Sequence, residues 1–251
     1  MPRDHNSKKR VRMKKSRGTS RVLGVFLMCA VFGLMVGGQR SCAPAQDPEA
    51  FWATAYYCPY ESELEGEQTV DMTISGTTYT LKASFLFGGH SVAMEGVGRT
   101  GPEGQYIWYD SRTGGSWAHL DDPQEFTRDV RTHYSDLGIT DFTGFGNLAL
   151  THPDQASYSV VSGVVGANDN ILSPWYSIAV DPSAVALGTT GILQFDNGTT
   201  PAGATWMSFR ADDTGPDIKG SRVDIYVGEG EASLGIWERT GDNRYVHFLK
   251  D

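Results

Sequence analysis

Three aspartates in the last third of the chain have the residue types and the spacing for acid–base chemistry. Asp213 lies in the triplet Asp-Thr-Gly, Asp224 follows in "RVDIYV", and Asp181 precedes a proline in "AVDPS". Carboxyl groups held near one another can have different pKa values, so that one donates a proton while another stays ionised. Such groups are typical of enzymes that cleave glycans. The alternative is that all three cap turns, which aspartate does readily.

The triplet Asp213-Thr214-Gly215 also suggests an aspartic protease. That chemistry needs two such aspartates sharing a proton, whereas the sequence contains a single Asp-Thr-Gly, so a homodimer would be required. The flanking residues differ as well, because Asp212 stands where an apolar residue is expected and Pro216 where a small one is. The pattern therefore disfavours a protease.

Other catalytic motifs are missing from the sequence. The histidines beyond the N-terminal region are scattered, with no H-x-x-x-H and no cysteine at ligand spacing: His90, His119, His133, His152 and His247. There is no G-x-S-x-G, and Cys58 has no sign of activation in its neighbours. The sequence therefore predicts neither a metal site nor a cofactor.

The charge is distributed unevenly along the chain. Residues 1–45 hold ten of the 21 Lys and Arg but only one of the 30 Asp and Glu. The remainder has 11 basic and 29 acidic residues, a formal net charge of −18. So acidic a body repels phosphate backbones, which argues against nucleic acid as a partner.

The N-terminal region predicts export. Its basic stretch is followed by fifteen uncharged residues, "VLGVFLMCAVFGLMV" at 22–36, and then by an Ala-Pro-Ala motif that ends at Ala45. This order is typical of a signal peptide cleaved after Ala45. An uncleaved anchor, extended by Gly37 and Gly38, is the alternative, and it would be the chain's only contact with a membrane. We expect a periplasmic or cell-envelope protein.

Alternating apolar and polar residues predict a mainly β fold. We expect a hairpin at 69–87 with its turn at Ser75-Gly76, and one helix in "DDPQEFTRDVRTHYSDLG" at 121–138. Further strands are predicted at 51–57, 104–110, 158–165, 176–180, 191–195, 204–211, 221–227 and 244–249. Strands separated by turns, with one modest helix, indicate a barrel or sandwich with an inserted subdomain.

Three segments in order, "AVDPSAVALGTT", "ADDTGPDIKGSRVDIYVG" and "SLGIWERTGDNRYVHFL", resemble the 3D domain, named for three aspartates. That domain is shared by the membrane-bound lytic transglycosylase A family and the stationary-phase survival proteins. "ATAYY" at 53–57 is similar to its first strand. The resemblance implies a six-stranded double-psi β-barrel with an inserted β-rich subdomain. It divides the chain into a signal peptide or anchor at 1–45, a first barrel strand at 46–60, an insertion at 61–155 and the remaining barrel at 156–251.

The resemblance also implies an activity: non-hydrolytic cleavage of the β-1,4 bond between N-acetylmuramic acid and N-acetylglucosamine in peptidoglycan, leaving a 1,6-anhydro end. Carried over by motif, Asp224 is the acid and then the base, while Asp213 and Asp181 supply hydrogen bonds and charge. The glycan strand is the expected partner. The alternatives are a non-catalytic glycan-binding module and a glycoside hydrolase on the same barrel.

The remaining expectations concern the surroundings of the aspartates. Thr54, Tyr56 and Lys219 are the candidate substrate-binding residues, although the tyrosine could equally pack in the core and the lysine could lie in a solvated turn. Pro216-Asp217 replaces the small pair typical of the family, which adds a fourth carboxylate near the site. Asp212 is expected at the surface, and Glu95 is expected to be a loop charge.

Overall fold

The computed structural model describes residues 50–110, 117–119, 127–146, 148–241 and 244–249. They belong to one structural unit, Gln46–Asp251. The predicted signal peptide or anchor at 1–45 lies outside the described residues, and so does the predicted first turn of the helix at 121–126. Within the described ranges, no helix is long and apolar enough to cross a membrane.

The regular secondary structure of the described residues is mainly β, in the segments where apolar residues alternate. The strands are β1 (Ala50–Cys58), β2 (Thr69–Ile74), β3 (Thr77–Lys82), β4 (Val97–Arg99), β5 (Tyr106–Asp110), β6 (Trp117–His119), β7 (Leu148–Leu150), β8 (Ser157–Val161), β9 (Ser177–Val180), β10 (Thr190–Phe195), β11 (Trp206–Asp213), β12 (Arg222–Glu229) and β13 (Arg244–Leu249). The α-helices are α1 (Ala83–Phe87), α2 (Val92–Glu95), α3 (Arg128–Asp136) and α4 (Glu231–Gly241).

Six of the strands close into a barrel in the order β1-β12-β9-β11-β10-β13. Two neighbouring pairs are parallel, β1 with β12 and β9 with β11, and the other four pairs are antiparallel. Parallel neighbours cannot be joined by a tight turn, so the chain crosses over between them. The predicted mainly β fold with a six-stranded double-psi barrel is confirmed.

The barrel interior is filled by the alternate residues of its strands. Val223, Ile225 and Val227 of β12 all point inward and are buried. Because successive side chains on a strand point to opposite faces, Asp224 points away from this core. The period of two therefore places the carboxyl group on the outer face of β12.

The chain between β1 and β9 forms three small sheets, in the orders β2-β3, β4-β5-β8 and β6-β7. The segment from 61 to 165 is called the insertion below. Its core is aromatic, with Phe85, Phe87, Tyr134 and Phe145 all fully buried. The strand predicted at 158–165 ends at Val161 and pairs with β5, so the chain returns to the barrel at β9.

The predicted hairpin forms at β2 and β3, and its turn lies at Ser75 and Gly76 with positive φ at both positions. The prediction that the second strand continues to Phe87 is wrong. From Ala83 the chain is helical, and all five residues of α1 are buried. A helical turn inside the core can bury every side, whereas a strand of a two-stranded sheet cannot.

Of the four α-helices in the described residues, α3 lies in the segment predicted to be helical, whereas α1, α2 and α4 were not predicted. α3 begins after Thr127, whose hydroxyl accepts a hydrogen bond from the Val130 N–H, and it buries Val130 and Tyr134. α4 was not predicted, because the glycines at 235 and 241 lower the helix propensity of "EASLGIWERTG". It forms because the barrel core buries Trp237.

Glu229, at the end of β12, ties the insertion to the barrel. Its carboxylate accepts hydrogen bonds from the Tyr106 hydroxyl at 2.7 Å, from Arg99 Nη1 at 3.0 Å and from the Tyr60 hydroxyl at 3.3 Å. The Arg99 guanidinium also stacks on the Tyr106 ring, 4.5 Å from its centroid. Glu229 is half-buried, and its three charge-assisted hydrogen bonds fix the position of the insertion relative to the barrel.

Candidate active site

A groove of about 1050 Å³ lies between the barrel and the insertion. Its barrel wall includes Tyr56, Asp213, Arg222 and Asp224 together with the loop 215–219. Its insertion wall includes His90, Met94, Glu95, Trp108 and Tyr109. Two of the three predicted aspartates therefore share one cavity.

Asp224 is a largely buried carboxyl group in the wall of the groove. It lies opposite Thr54 of β1 and Ala179 of β9, and its side chain is 17% exposed. Its Oδ1 is buried and has no hydrogen-bond partner among the described residues. Its pKa is raised to about 6, mainly by burial, with smaller contributions from the charges of Glu95 and Asp213.

Arg222 opposes that rise in the pKa of Asp224. It was not among the site residues predicted from the sequence. Its Nη2 lies 3.6 Å from Asp224 Oδ1 and donates to the Thr54 hydroxyl at 3.2 Å. Its guanidinium also lies over the Trp52 ring, 5.8 Å from the centroid. Arg222 and Asp224 are two residues apart on one strand and so share a face, which is the signal that could have identified the pair.

Thr54 therefore contacts the guanidinium of Arg222. The predicted substrate-binding hydroxyl accepts from Arg222 and lies next to Asp224 in the strand register. This places Thr54 where it orients the cation beside the acid. A direct contact with a glycan remains a prediction.

Asp213 ends β11 and is bound by Tyr56. The Tyr56 hydroxyl donates to Asp213 Oδ2 at 3.1 Å, and the Thr214 N–H donates to Oδ1 at 2.8 Å. Burial raises the pKa of Asp213, and the hydrogen bonds from Thr214 and Tyr56 partly oppose this rise. Tyr56 also packs against the Tyr226 ring at 5.5 Å, so it supports the carboxylate as well as lining the groove.

Asp181 has a different environment from the other two aspartates. Its Oδ1 accepts from the N–H and the hydroxyl of Ser183, and its Oδ2 accepts from the Gly220 N–H at 2.8 Å. The Gly220 and Ser183 hydrogen bonds lower its pKa to about 2, with a smaller contribution from the Lys219 charge. Asp181 thus caps a turn, as the alternative predicted, and ties down the loop that carries Lys219 into the groove.

Asp212 is not at the surface, which corrects the expectation for it. It is fully buried and accepts hydrogen bonds from Ser177 Oγ at 2.6 Å and from Arg210 Nε. The pairing of β11 with β9 shifts register between Ala211 and Asp213, so two consecutive residues face inward. A β-bulge of this kind cannot be read from alternation.

Glu95 is not a loop charge either. It is the last residue of α2, its side chain is 11% exposed, and its Oε1 lies 3.6 Å from His90 Nδ1. The nearby Glu95 carboxylate raises the pKa of His90. Ser91, which caps α2 by accepting from the Met94 N–H, is the sequence signal that could have identified this helix.

Two of the groove's carboxyl groups, those of Asp213 and Asp224, lie in a part of the chain that matches a known domain. The family model of the 3D domain matches residues 176–250. This match confirms the resemblance predicted from the sequence motifs. No curated protein sequence matches the chain at a significant level.

Several solved structures are similar to the chain. E. coli MltA with bound chitohexaose is 17% identical with a TM-score of 0.46, over 80% of this chain and 71% of that one. LtgG of Burkholderia pseudomallei, a lytic transglycosylase, is 18% identical with a TM-score of 0.40, over 80% and 73%. MltA from Neisseria gonorrhoeae is 15% identical with a TM-score of 0.42, over 79% and 72%.

The 3D-domain match contains some of the groove residues and not others. Asp181, Asp213, Lys219 and Asp224 fall inside it. Thr54 and Tyr56 on β1 precede it, as do His90 and Glu95 of the insertion. The 3D domain therefore carries the acids, and the rest of the chain supplies the opposite wall and the supports of the acids.

Proposed function

We propose that this protein is a lytic transglycosylase that cleaves the β-1,4 bond between N-acetylmuramic acid and N-acetylglucosamine of peptidoglycan. The observation that carries the proposal is Asp224: it lies in a groove, its Oδ1 is buried and without a hydrogen-bond partner, and its pKa is raised to about 6. A carboxyl group with such a pKa holds a proton on about half of the molecules near pH 6 and on roughly a tenth near pH 7, far more than an ordinary aspartate, so it can act as a general acid.

One carboxyl group suffices for this reaction, because the nucleophile belongs to the sugar. Asp224 donates its proton to the glycosidic oxygen as the bond from that oxygen to C1 of the muramic acid breaks. The 6-hydroxyl of the same sugar then attacks C1 and loses its proton to the Asp224 carboxylate. The products are a 1,6-anhydro end and a free 4-hydroxyl group, no water is consumed, and the acid is restored.

The neighbouring groups support this acid in distinct ways. Asp213, held by Tyr56 and the Thr214 N–H, contributes negative charge that keeps the Asp224 proton in place and stabilises positive charge developing at C1. Asp181 fixes the loop 216–220 through the Gly220 N–H. Lys219 on that loop lines the groove and binds polar groups of the glycan.

The domain organisation follows the same proposal. The glycan strand lies between the barrel, formed by 46–60 and the C-terminal part, and the insertion that contributes Glu95 and Trp108. The segment 1–45 directs the chain out of the cytoplasm, as a cleaved signal peptide or as an anchor. The enzyme then acts in the periplasm or at the cell envelope, where its substrate is.

Digestion of purified peptidoglycan, followed by mass spectrometry of the soluble products, tests the activity. We expect fragments with anhydro ends, which are lighter than hydrolysis products by one water. Hydrated reducing ends would instead indicate a glycoside hydrolase. Polymer that stays intact while the protein sediments with it would indicate a binding module.

The Asp224→Asn variant tests the assignment of the acid. Since acid–base catalysis contributes roughly 10²–10⁴-fold to rates, product release should fall by about that factor while cosedimentation with peptidoglycan persists. Asp71→Asn is the matched control, because Asp71 is exposed on β2, away from the groove residues, and accepts from Thr80. Near-full activity of Asp224→Asn would contradict the assignment.

A further inference from the structure

Two histidines and an aspartate of the insertion meet at a place that the groove does not use. His133 lies near the end of α3, and His152 and Asp154 lie between β7 and β8, at the start of a 3₁₀ turn. His133 Nε2 lies 2.9 Å from His152 Nδ1, and His133 Nδ1 lies 3.1 Å from Asp154 Oδ1. The two rings are 4.4 Å apart between centroids and are inclined by 72°.

The arrangement decides which nitrogens are free for a ligand. Asp154 accepts from His133 Nδ1, which places the His133 proton on that nitrogen and leaves the Nε2 lone pair directed at His152. A carboxylate on the far nitrogen is the usual partner of a metal-binding histidine, because it fixes the tautomer and orients the ring. His152 Nδ1 completes a pair of nitrogens that face one another.

We propose that His133 Nε2 and His152 Nδ1 bind a late first-row divalent metal ion such as Zn²⁺, with Asp154 orienting His133. Zinc–imidazole bonds are about 2.0–2.1 Å long, so two nitrogens 2.9 Å apart subtend about 90° at the ion. A tetrahedral ion requires them to be about 0.4 Å further apart, which small rotations of two partly exposed rings supply. Water completes the coordination.

The ion would join two segments that are distant in sequence. α3 packs on the core of the insertion through Val130 and Tyr134, and the turn at 153–155 leads into β8. In the described residues, Cys58 is the single cysteine and is buried, so no disulfide ties these segments together. A metal between His133 and His152 therefore stabilises the insertion, which forms one wall of the groove.

Sequence spacing did not reveal this site. His133 and His152 are nineteen residues apart, and the motif H-x-D at 152–154 has no metal-binding partner at a regular interval. Only the packing of α3 against the turn brings the two rings together. The prediction of no metal site came from spacing alone, and spacing cannot test a site assembled in this way.

The test is titration of the metal-free full-length protein with ZnCl₂, by calorimetry and by thermal unfolding. We expect one saturable site that is absent from a His133→Gln/His152→Gln variant, and a rise in Tm of roughly 5 °C at Zn²⁺ concentrations near 100 times Kd. Glutamine keeps the size and polarity of the site but binds metals weakly. Both proteins contain His5 and the N-terminal cysteines, so subtracting the Zn²⁺ binding of the variant from that of the wild type removes any contribution from those residues.

Two further variants keep the proposal falsifiable if the double variant does not fold. Asp154→Asn leaves both ligands in place and should weaken Zn²⁺ binding by roughly 10–100-fold. His247→Gln is the matched control, because His247 also pairs with a carboxylate, Asp196, at 2.8 Å, and it should bind Zn²⁺ as the wild type does. Two results would overturn the proposal: no saturable Zn²⁺ binding by the wild type, or equal binding by the wild type, the His133→Gln/His152→Gln variant and the Asp154→Asn variant. The three residues would then form only a hydrogen-bonded chain, Asp154–His133–His152.

Discussion

Arg222 Nη2 lies 3.6 Å from Asp224 Oδ1, and the same nitrogen donates to the Thr54 hydroxyl on the neighbouring strand. The cation is therefore held beside the acid by a residue of β1 at ion-pair distance. This geometry limits how far burial raises the pKa of Asp224, because the positive charge favours the ionised form. Arg222 and Glu95 act on that pKa in opposite directions, which leads to two predictions of opposite sign.

Replacing Arg222 by methionine should move the alkaline limit of activity to higher pH. Activity needs protonated Asp224, so in the wild type it falls as the pH rises through about 6. Without the cation the pKa of Asp224 is higher, and the fall occurs at higher pH. The measurement is the pH dependence of anhydro-product release. Arg239→Met, at an exposed position of α4, should leave the profile unchanged; a shift to lower pH in Arg222→Met would contradict the mechanism.

Replacing Glu95 by glutamine should move the same limit to lower pH. The negative charge of Glu95 raises the pKa of Asp224, so its removal lets the acid ionise earlier. The substitution also removes the carboxylate that raises the pKa of His90, which an NMR titration of the His90 ring should detect as a lower pKa. Glu238→Gln on α4 is the control. An unchanged pH profile alongside a changed His90 titration would separate the two effects and exclude Glu95 as an influence on Asp224.

The stability of the wild type should depend on pH through Asp224. Its pKa is about 6 in the folded protein and about 3.9 in an unfolded chain, so folding favours the protonated form. This stabilisation is about 3 kcal/mol well below pH 4 and is lost as the pH rises through 6, by about 2 kcal/mol between pH 4 and pH 7. Urea unfolding at pH 4 and pH 7 should show a loss of this size in the wild type that is largely absent from Asp224→Asn. Equal losses in both proteins would mean that Asp224 ionises with an ordinary pKa.

Replacing Tyr56 by phenylalanine should weaken the hold on Asp213. The lost hydrogen bond stabilises the Asp213 carboxylate, so its pKa should rise further, and product release should fall. The free energy of unfolding should fall by about 1 kcal/mol, the usual value of one hydrogen bond. Tyr245→Phe is the control, since Tyr245 is 55% exposed on β13. If Tyr56→Phe releases product at the wild-type rate across the pH range, the hydrogen bond from Tyr56 to Asp213 has no part in the reaction.

Much of the barrel could be predicted from the sequence, because alternation with period two marks each strand and glycine, proline and asparagine mark the turns. The elements that were missed are those whose local sequence conflicts with their final structure. α4 contains Gly235, yet it is helical because Trp237 is buried against the barrel. α1 continues a good strand pattern, yet its residues are fully enclosed, which favours a helical turn.

The candidate site likewise has features that the sequence predicted and features that it did not. The sequence by itself determined the three aspartates and the motifs around them, since motif order is a property of the chain. Only the tertiary structure decided that Asp224 is desolvated, that Asp181 is held by Gly220, and that the charge of Glu95 acts on Asp224. The physical reason is that a pKa depends on burial and on charges a few ångströms away, and the fold brings those groups together from strands and helices distant in the sequence.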